Sequence, residues 1–260
     1  MIMPKRRVVD LTKEVRFNPD DPGFMRVKIK HKPHKKGRLL VRLLGLPFGL
    51  MPKDFEGWAD DTITKMGVHS TTHIDAPWHY GTVDPDGKPL PTIEQIPLEL
   101  CFGPGVVFDM THKADGEPIT VADMEKSIAE SGAAINEGTI ALIRTGRDQY
   151  LGQKDYWQRG TGMSEQATDW LLDRGVKVCG IDQWGWDLPF KVQIAQAKKD
   201  GGKTRFWEGH LVGRRRPYWH MEQLCGLDQL PSHGFEVGVF PLKLKGASAA
   251  PARVVAFLPE

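Results

Sequence analysis

Six short apolar runs, each bounded by Gly, Pro or Asp, set what this chain can fold into: VVDL from Val8, VVFDM from Val106, TIALIR from Thr139, VKVCGID from Val176, FEVGVFPLKL from Phe235 and ARVVAFL from Ala252. Runs of this length, rich in β-branched residues, predict strands. Two helices stand against them with both ends written in. Thr120 precedes VADMEKSIAES with Gly132 beyond it, and Ser164 precedes EQATDWLLDR with Gly175 beyond it. Each has a hydroxyl for the orphan N–H groups at its start and a glycine to turn left-handed at its end. A third helix is expected from about Phe190 to Lys199, before Gly201 and Gly202. Many strands and few helices, out of strict alternation, predict an α+β fold with a β-rich core. With no repeat or linker, a single domain over residues 1–260 is expected, carrying a long Pro-, Lys- and Gly-rich excursion at about 18–56.

Charge and cysteine usage narrow the partners. The 35 basic and 33 acidic residues leave a net +2, which points to neither nucleic acid nor membrane. One segment departs from this balance: Arg26 to Arg42 holds eight Lys or Arg and no acid, leaving about −6 for the remainder. Two readings stay open for it, a solvated surface arm and a rim that attracts anionic substrates. Cys101, Cys179 and Cys225 are odd in number and far apart, as expected of a reduced, cytoplasmic protein. MIMPKRRVVD has no apolar leader core, and LLGLPFGLM from Leu43 is far short of a membrane span.

The densest chemistry lies in HSTTHIDAPWHYG, where His69, His73, Asp75 and His79 fall within eleven residues. On an extended chain all four occupy odd positions and project from one face. A helix separates Asp75 and His79 from His69 and His73 by more than about 70°, and Pro77 is expected to block helix hydrogen bonding. Full extension would hold His69 and His73 roughly 13 Å apart, too far for one ion, so the chain must bend near Thr71 and Thr72. Two imidazoles and a carboxylate form a mixed set suited to zinc, manganese or ferrous iron, with positions left open for water.

This stretch resembles the His-x-Gly-Thr-His-x-Asp-x-Pro-x-His signature of the cyclase family of metal-dependent hydrolases, which includes bacterial kynurenine formamidase and isatin hydrolase. His69, Thr72, His73, Asp75, Pro77 and His79 match, and Thr71 stands where Gly is usual. Further similarity spreads over DLT from Asp10, GIDQWGWD from Gly180 and MEQLCGLDQLP from Met221. The resemblance implies a swivelling β/β/α fold, a metal-activated water and a homodimer or larger homo-oligomer. It implies that Glu222 matches an acidic ligand, with His210 twelve residues before it; His220 falls outside the pattern. His79, His210 and Glu222 would then hold a second ion, or serve catalysis beside a single Mn2+ or Zn2+ on His69, His73 and Asp75.

The expected chemistry is hydrolysis of a small cyclic or aryl amide or ester by metal-activated water, with His79 moving protons. Arylformamide or lactone cleavage is the variant within the family. A polyketide cyclase or dehydratase, or a metal-binding protein without turnover, is the reading outside that chemistry. No Gly-x-Ser-x-Gly elbow, P-loop or dinucleotide fingerprint occurs. Trp78, Trp184 and Trp186 are candidates for an aromatic substrate pocket, and Arg214, Arg215 and Arg216 for a solvated turn.

Overall fold

The computed structural model describes residues 6–203 and 206–259. In chain order it contains β1 (Arg6–Asp10), β2 (Lys28–Lys30), α1 (His34–Leu43), β3 (Thr62–Lys65), β4 (His73–Asp75), α2 (Pro77–Tyr80), β5 (Phe102–Asp109), β6 (Pro118–Ile119) and α3 (Val121–Ser131). There follow β7 (Ile140–Arg144), β8 (Gly162–Met163), α4 (Glu165–Asp173), β9 (Val178–Ile181), α5 (Phe190–Asp200), α6 (Glu208–Arg215), β10 (Trp219–Glu222), β11 (Phe235–Pro241) and β12 (Ala249–Pro259). All six expected runs form strands.

Seven strands close a ring in the order β12-β11-β5-β7-β9-β10-β4, with β4 returning to β12 and β1 added to the outer edge of β12. The β5-β7-β9-β10 half is parallel, and the remaining pairings are antiparallel. Alternation along the strands splits the apolar residues into two layers. Ile140, Leu142, Val178, Val237 and Val254 fill the barrel. Ala141, Ile143, Cys179 and Ile181 face outward against Met124 of α3 and Leu171 of α4. Burial on both faces is why TIALIR reads as a continuous apolar run rather than an alternating one.

The expected caps of the two helices are in place. Thr120 accepts from Asp123 N and Gly132 turns left-handed at φ 66° after α3, while Ser164 accepts from Ala167 N at the start of α4. The excursion at 18–56 is more ordered than its composition suggests: it contains β2, which pairs with β3, and α1. The packing reason is Gly37, where a β-carbon would lie 2.5 Å from the Trp58 carbonyl oxygen. Leu39, Leu43, Leu44 and Leu50 of this arm remain exposed. The arginine run is a helix end rather than a solvated turn, since Arg215 and Arg216 at the end of α6 pair with Asp169 of α4. Among the described residues no helix is long and apolar enough to cross a membrane.

Candidate metal centre

Register places the site. Asp75 of β4 lies opposite His220 of β10, and His73 opposite Glu222, with Ile74 and Met221 between them. Since Ile74 and Met221 point into the barrel, alternation turns the four polar side chains together to the other face. The chain bends through turn residues before β4, which brings His69 back over His73, with Nδ1 of His69 3.1 Å from Nε2 of His73. The bend expected near Thr71 and Thr72 is therefore present. Beyond β4, Pro77 does not block a helix but begins one, α2, because a first-turn N–H needs no partner within the helix.

Asp75 is the common element. Its Oδ1 lies 3.0 Å from His69 Nδ1 and 3.2 Å from His73 Nε2. Its Oδ2 lies 3.4 Å from His220 Nε2, 3.7 Å from His79 Nε2 and 3.9 Å from His210 Nε2. Despite that proximity, neither oxygen of this fully buried carboxylate receives a bond of hydrogen-bonding geometry. A buried anion left so is costly unless a cation sits against it. The donors gather in two groups, each with its ligand atoms within 4.8 Å of one another: His69, His73 and Asp75; and Asp75, His210, His220 and Glu222. Mixed imidazole and carboxylate sets around an orphaned carboxylate fit a divalent ion.

The imidazoles are anchored from behind, as metal-ligating histidines are. His73 Nδ1 donates to the Thr71 carbonyl at 2.7 Å, His69 Nε2 meets Ser248 Oγ at 3.1 Å, and His220 Nδ1 meets the Tyr80 hydroxyl at 2.9 Å. His210 Nδ1 bonds the Asp187 carboxylate, which also accepts from the backbone of Gly209 and His210 at the start of α6. Three of these rings thus direct a second nitrogen at Asp75, and His210 does so at longer range.

Without an ion the cluster divides its charges. Burial opposes protonation of His220, but its bond to the Glu222 carboxylate and the negative charges of Asp75 and Glu222 prevail and raise it to about 9. Burial would push Asp75 up, yet His69, His73 and His220 hold it well below the carboxylate range. Burial lowers His79 to about 4, and burial with the charge of His220 lowers His210 to about 3, so both are neutral bases near pH 7. Burial pushes Asp187 up to about 7, against the backbone donors of Gly209 and His210.

A cavity of about 480 Å³ opens onto this cluster, with His79, His210 and Glu222 at its inner end and Trp157, Trp184 and Trp207 in its walls. Of the expected aromatic residues, only Trp184 lines it. Trp186 is fully buried and stacks on His220 with centroids 5.1 Å apart, because its indole N–H bonds Thr168 of α4 within the helix layer. Trp78 is 41% exposed and stands off the cavity, since one residue step around α2 turns the side chain about 100° from His79.

His69, His73, Asp75, His210 and Glu222 are brought together, and His79 borders them without entering either close group. His220 takes that place in the second group. By sequence His220 was set aside as outside the family pattern, whereas its two-residue spacing from Glu222 on a strand puts both on one face. Gln223 and Asp187 escaped notice. Gln223 is fully buried at φ 56° and joins the His69 carbonyl, Thr72 and Lys13 through hydrogen bonds.

A closed mixed barrel, flanked by helices and carrying a histidine–carboxylate centre beneath an aromatic cavity, is the class of protein that these features define. The chain belongs to the Cyclase family, whose model matches residues 9–188. That match contains His69 to His79, while His210, His220 and Glu222 lie beyond it. A kynurenine formamidase of Paracidovorax citrulli is 29% identical over 191 residues, covering 73% of this chain and 76% of the relative. An isatin hydrolase of Roseibium aggregatum is 24% identical over 206 residues, covering 75% and 73%. Among solved structures, isatin hydrolase A from Labrenzia aggregata bound to benzyl benzoate superposes with a TM-score of 0.72 at 23% identity, over 98% of this chain and 94% of that one. This likeness shows the swivelling fold expected from the sequence.

Proposed function

We propose that the protein is a metal-dependent hydrolase that opens the amide or ester carbonyl of a small cyclic or aryl substrate. The observation that carries this reading is the buried Asp75 carboxylate, among imidazoles yet without a hydrogen bond, beneath an aromatic-walled cavity lined by His69, His79, His210 and Glu222. The kynurenine formamidase and isatin hydrolase relatives support it. His69, His73 and Asp75 would hold Mn2+ or Zn2+, and Glu222 with His210 and His220 would hold a second ion or order the site beside one. A divalent ion supplies a more acidic water and polarises a carbonyl.

The chain's own groups do the rest. His79, neutral and facing the cavity, takes a proton at Nε2 as water adds to the carbonyl carbon. The same proton is returned to the leaving nitrogen or oxygen as the C–N or C–O bond breaks. Asp187 fixes His210 with Nε2 toward the site, and Trp157, Trp184 and Trp207 exclude water from the bound ring. Self-association through the exposed leucines of α1 is part of the proposal, because a monomer leaves Leu43 and Leu44 more than 70% exposed.

Chelator-treated protein, reloaded separately with Mn2+ and Zn2+ and assayed on isatin, N-formylkynurenine, lactones and cyclic imides, tests the reading. Ion-dependent hydrolysis of a cyclic amide or arylformamide is expected. Equal hydrolysis with and without the ion would refute it.

A further inference from the structure

Trp207 has a backbone that its residue type does not explain. Together with Gln223 it is one of two non-glycine residues with positive φ among the described residues, at φ 63° and ψ 39°. Side chains with a β-carbon adopt this left-handed conformation at a cost, and Gly or Asn ordinarily fills such a position. It is also the N-cap of α6, where Ser, Thr, Asp or Asn would accept from the first free N–H groups. Trp offers no acceptor, and Asp187 serves that purpose instead by accepting from Gly209 and His210. Neither turn geometry nor capping therefore calls for an indole here.

Its surroundings do. The indole lies flat on the His210 imidazole, with centroids 4.2 Å apart and planes 16° from parallel, and it meets His79 edge-on at 5.1 Å. The residue is half-buried and lines the cavity that reaches His79, His210 and Glu222. Gln193 of α5 fixes its position by accepting from the Trp207 backbone N–H at 2.6 Å. The strained backbone thus holds a large planar surface beside both imidazoles, next to where a scissile carbonyl would sit.

We infer that Trp207 is the specificity-determining platform of this cavity, a surface on which the planar aromatic ring of a substrate stacks while its carbonyl faces His79. The inference deepens the proposed function by selecting aryl over saturated cyclic substrates, and it rests on that reading only for the direction in which the carbonyl points. A flat indole surface favours a planar π system over a puckered ring of similar size, because offset stacking adds to the burial that both obtain.

Formanilide and N-cyclohexylformamide share one formamide group and differ in ring planarity, so they isolate the effect. Binding to chelator-treated, full-length protein is measured by calorimetry, and KM and kcat are measured on protein reloaded with Mn2+. Trp207→Asn tolerates the left-handed backbone without the indole, and Trp207→Phe keeps an aromatic face. We expect Trp207→Asn to weaken formanilide about tenfold and N-cyclohexylformamide less than threefold, in Kd and KM alike, with Trp207→Phe recovering most of the preference. Equal weakening of both compounds, no change in either, or a wild type without preference for the planar ring overturns the assignment. If the planar preference is present and lost in Trp207→Asn while neither these formamides nor isatin, N-formylkynurenine, lactones and cyclic imides are hydrolysed, the platform stands and the hydrolase reading fails.

Discussion

Replacing Asp187 by Asn changes almost no volume and should nevertheless disable His210. The carboxylate accepts three hydrogen bonds: from Gly209 N at 2.7 Å, from His210 N at 3.1 Å, and from His210 Nδ1. An amide offers one acceptor oxygen and one NH2 donor. If the oxygen stays on Gly209, the NH2 faces two N–H groups of His210. The imidazole must then shift its proton to Nε2, which turns an N–H rather than a lone pair toward Asp75 and Glu222. If the amide flips, Gly209 N is left facing a donor instead. Either arrangement loses a charge-assisted bond and leaves a buried N–H unsatisfied, each worth about 1–3 kcal/mol before relaxation. Outer-shell partners of metal-ligating histidines usually cost 10–100-fold when replaced, or about 1.4–2.7 kcal/mol. Titration of Mn2+ or Zn2+ against a chromophoric chelator, with kcat measured in parallel, should show a loss in that range for Asp187→Asn. An affinity and a kcat both within twofold of wild type would refute the anchoring role.

Other consequences can be checked singly. His73→Ala removes a buried nitrogen 3.2 Å from Asp75 Oδ1; metal analysis should show an equivalent lost, and undiminished metal content would count against the ligand set. In Gly213→Ala the new β-carbon would lie 2.1 Å from Tyr80 Cδ2, so overpacking of about 1–3 kcal/mol and a Tm drop of a few degrees are expected, with Tyr80 displaced from His220. Adding Mn2+ or Zn2+ at about 100 times Kd should stabilise the chelated protein by about 2.7 kcal/mol; an unchanged melting curve excludes ion binding to the native state. Asp123 is lowered to about 2, since bonds from Thr120 and Lys113 outweigh its burial. A depressed carboxylate stabilises the fold above its unfolded pKa, and that gain is lost as pH falls through the folded value. Asp123→Asn should therefore melt lower than wild type at pH 7, and the gap should close between about pH 4 and pH 2; a constant gap would place the effect elsewhere.

The part of the site that is local in sequence was legible there, and the part made by strand pairing was not. His69, His73, Asp75 and His79 announce themselves by type and spacing. His210 and Glu222 emerged only through resemblance, because Glu222 is joined to Asp75 by the pairing of β10 with β4 and His210 by the docking of α6, neither of which a local pattern encodes. His220 was readable in principle from its spacing to Glu222. Asp187 and Trp207 were not, since their roles depend on how α6 docks. Five of the seven barrel strands were clear from their apolar runs; β4 and β10, which carry the polar site residues, were not, α1 was hidden by Pro33 and its lysines, and α6 by EGHLVGRR, which has few apolar residues to mark a period. Trp186 misled for a physical reason: a tryptophan near a site is as useful beneath an imidazole as beside a substrate.

β4 is only three residues long, and it closes the barrel by pairing with β10 on one side and β12 on the other. Both partners come from the last part of the chain, whereas the strand itself lies in the first third. During synthesis, His69 to His79 leave the ribosome long before anything exists to hold Asp75 in register with His220 and Ala249. A nascent chain halted before Trp219 would carry the whole signature and still lack the second wall of the ion site. An ion held between Asp75 and the β10 residues His220 and Glu222 would span the β4 seam and act as a clasp on the closed ring.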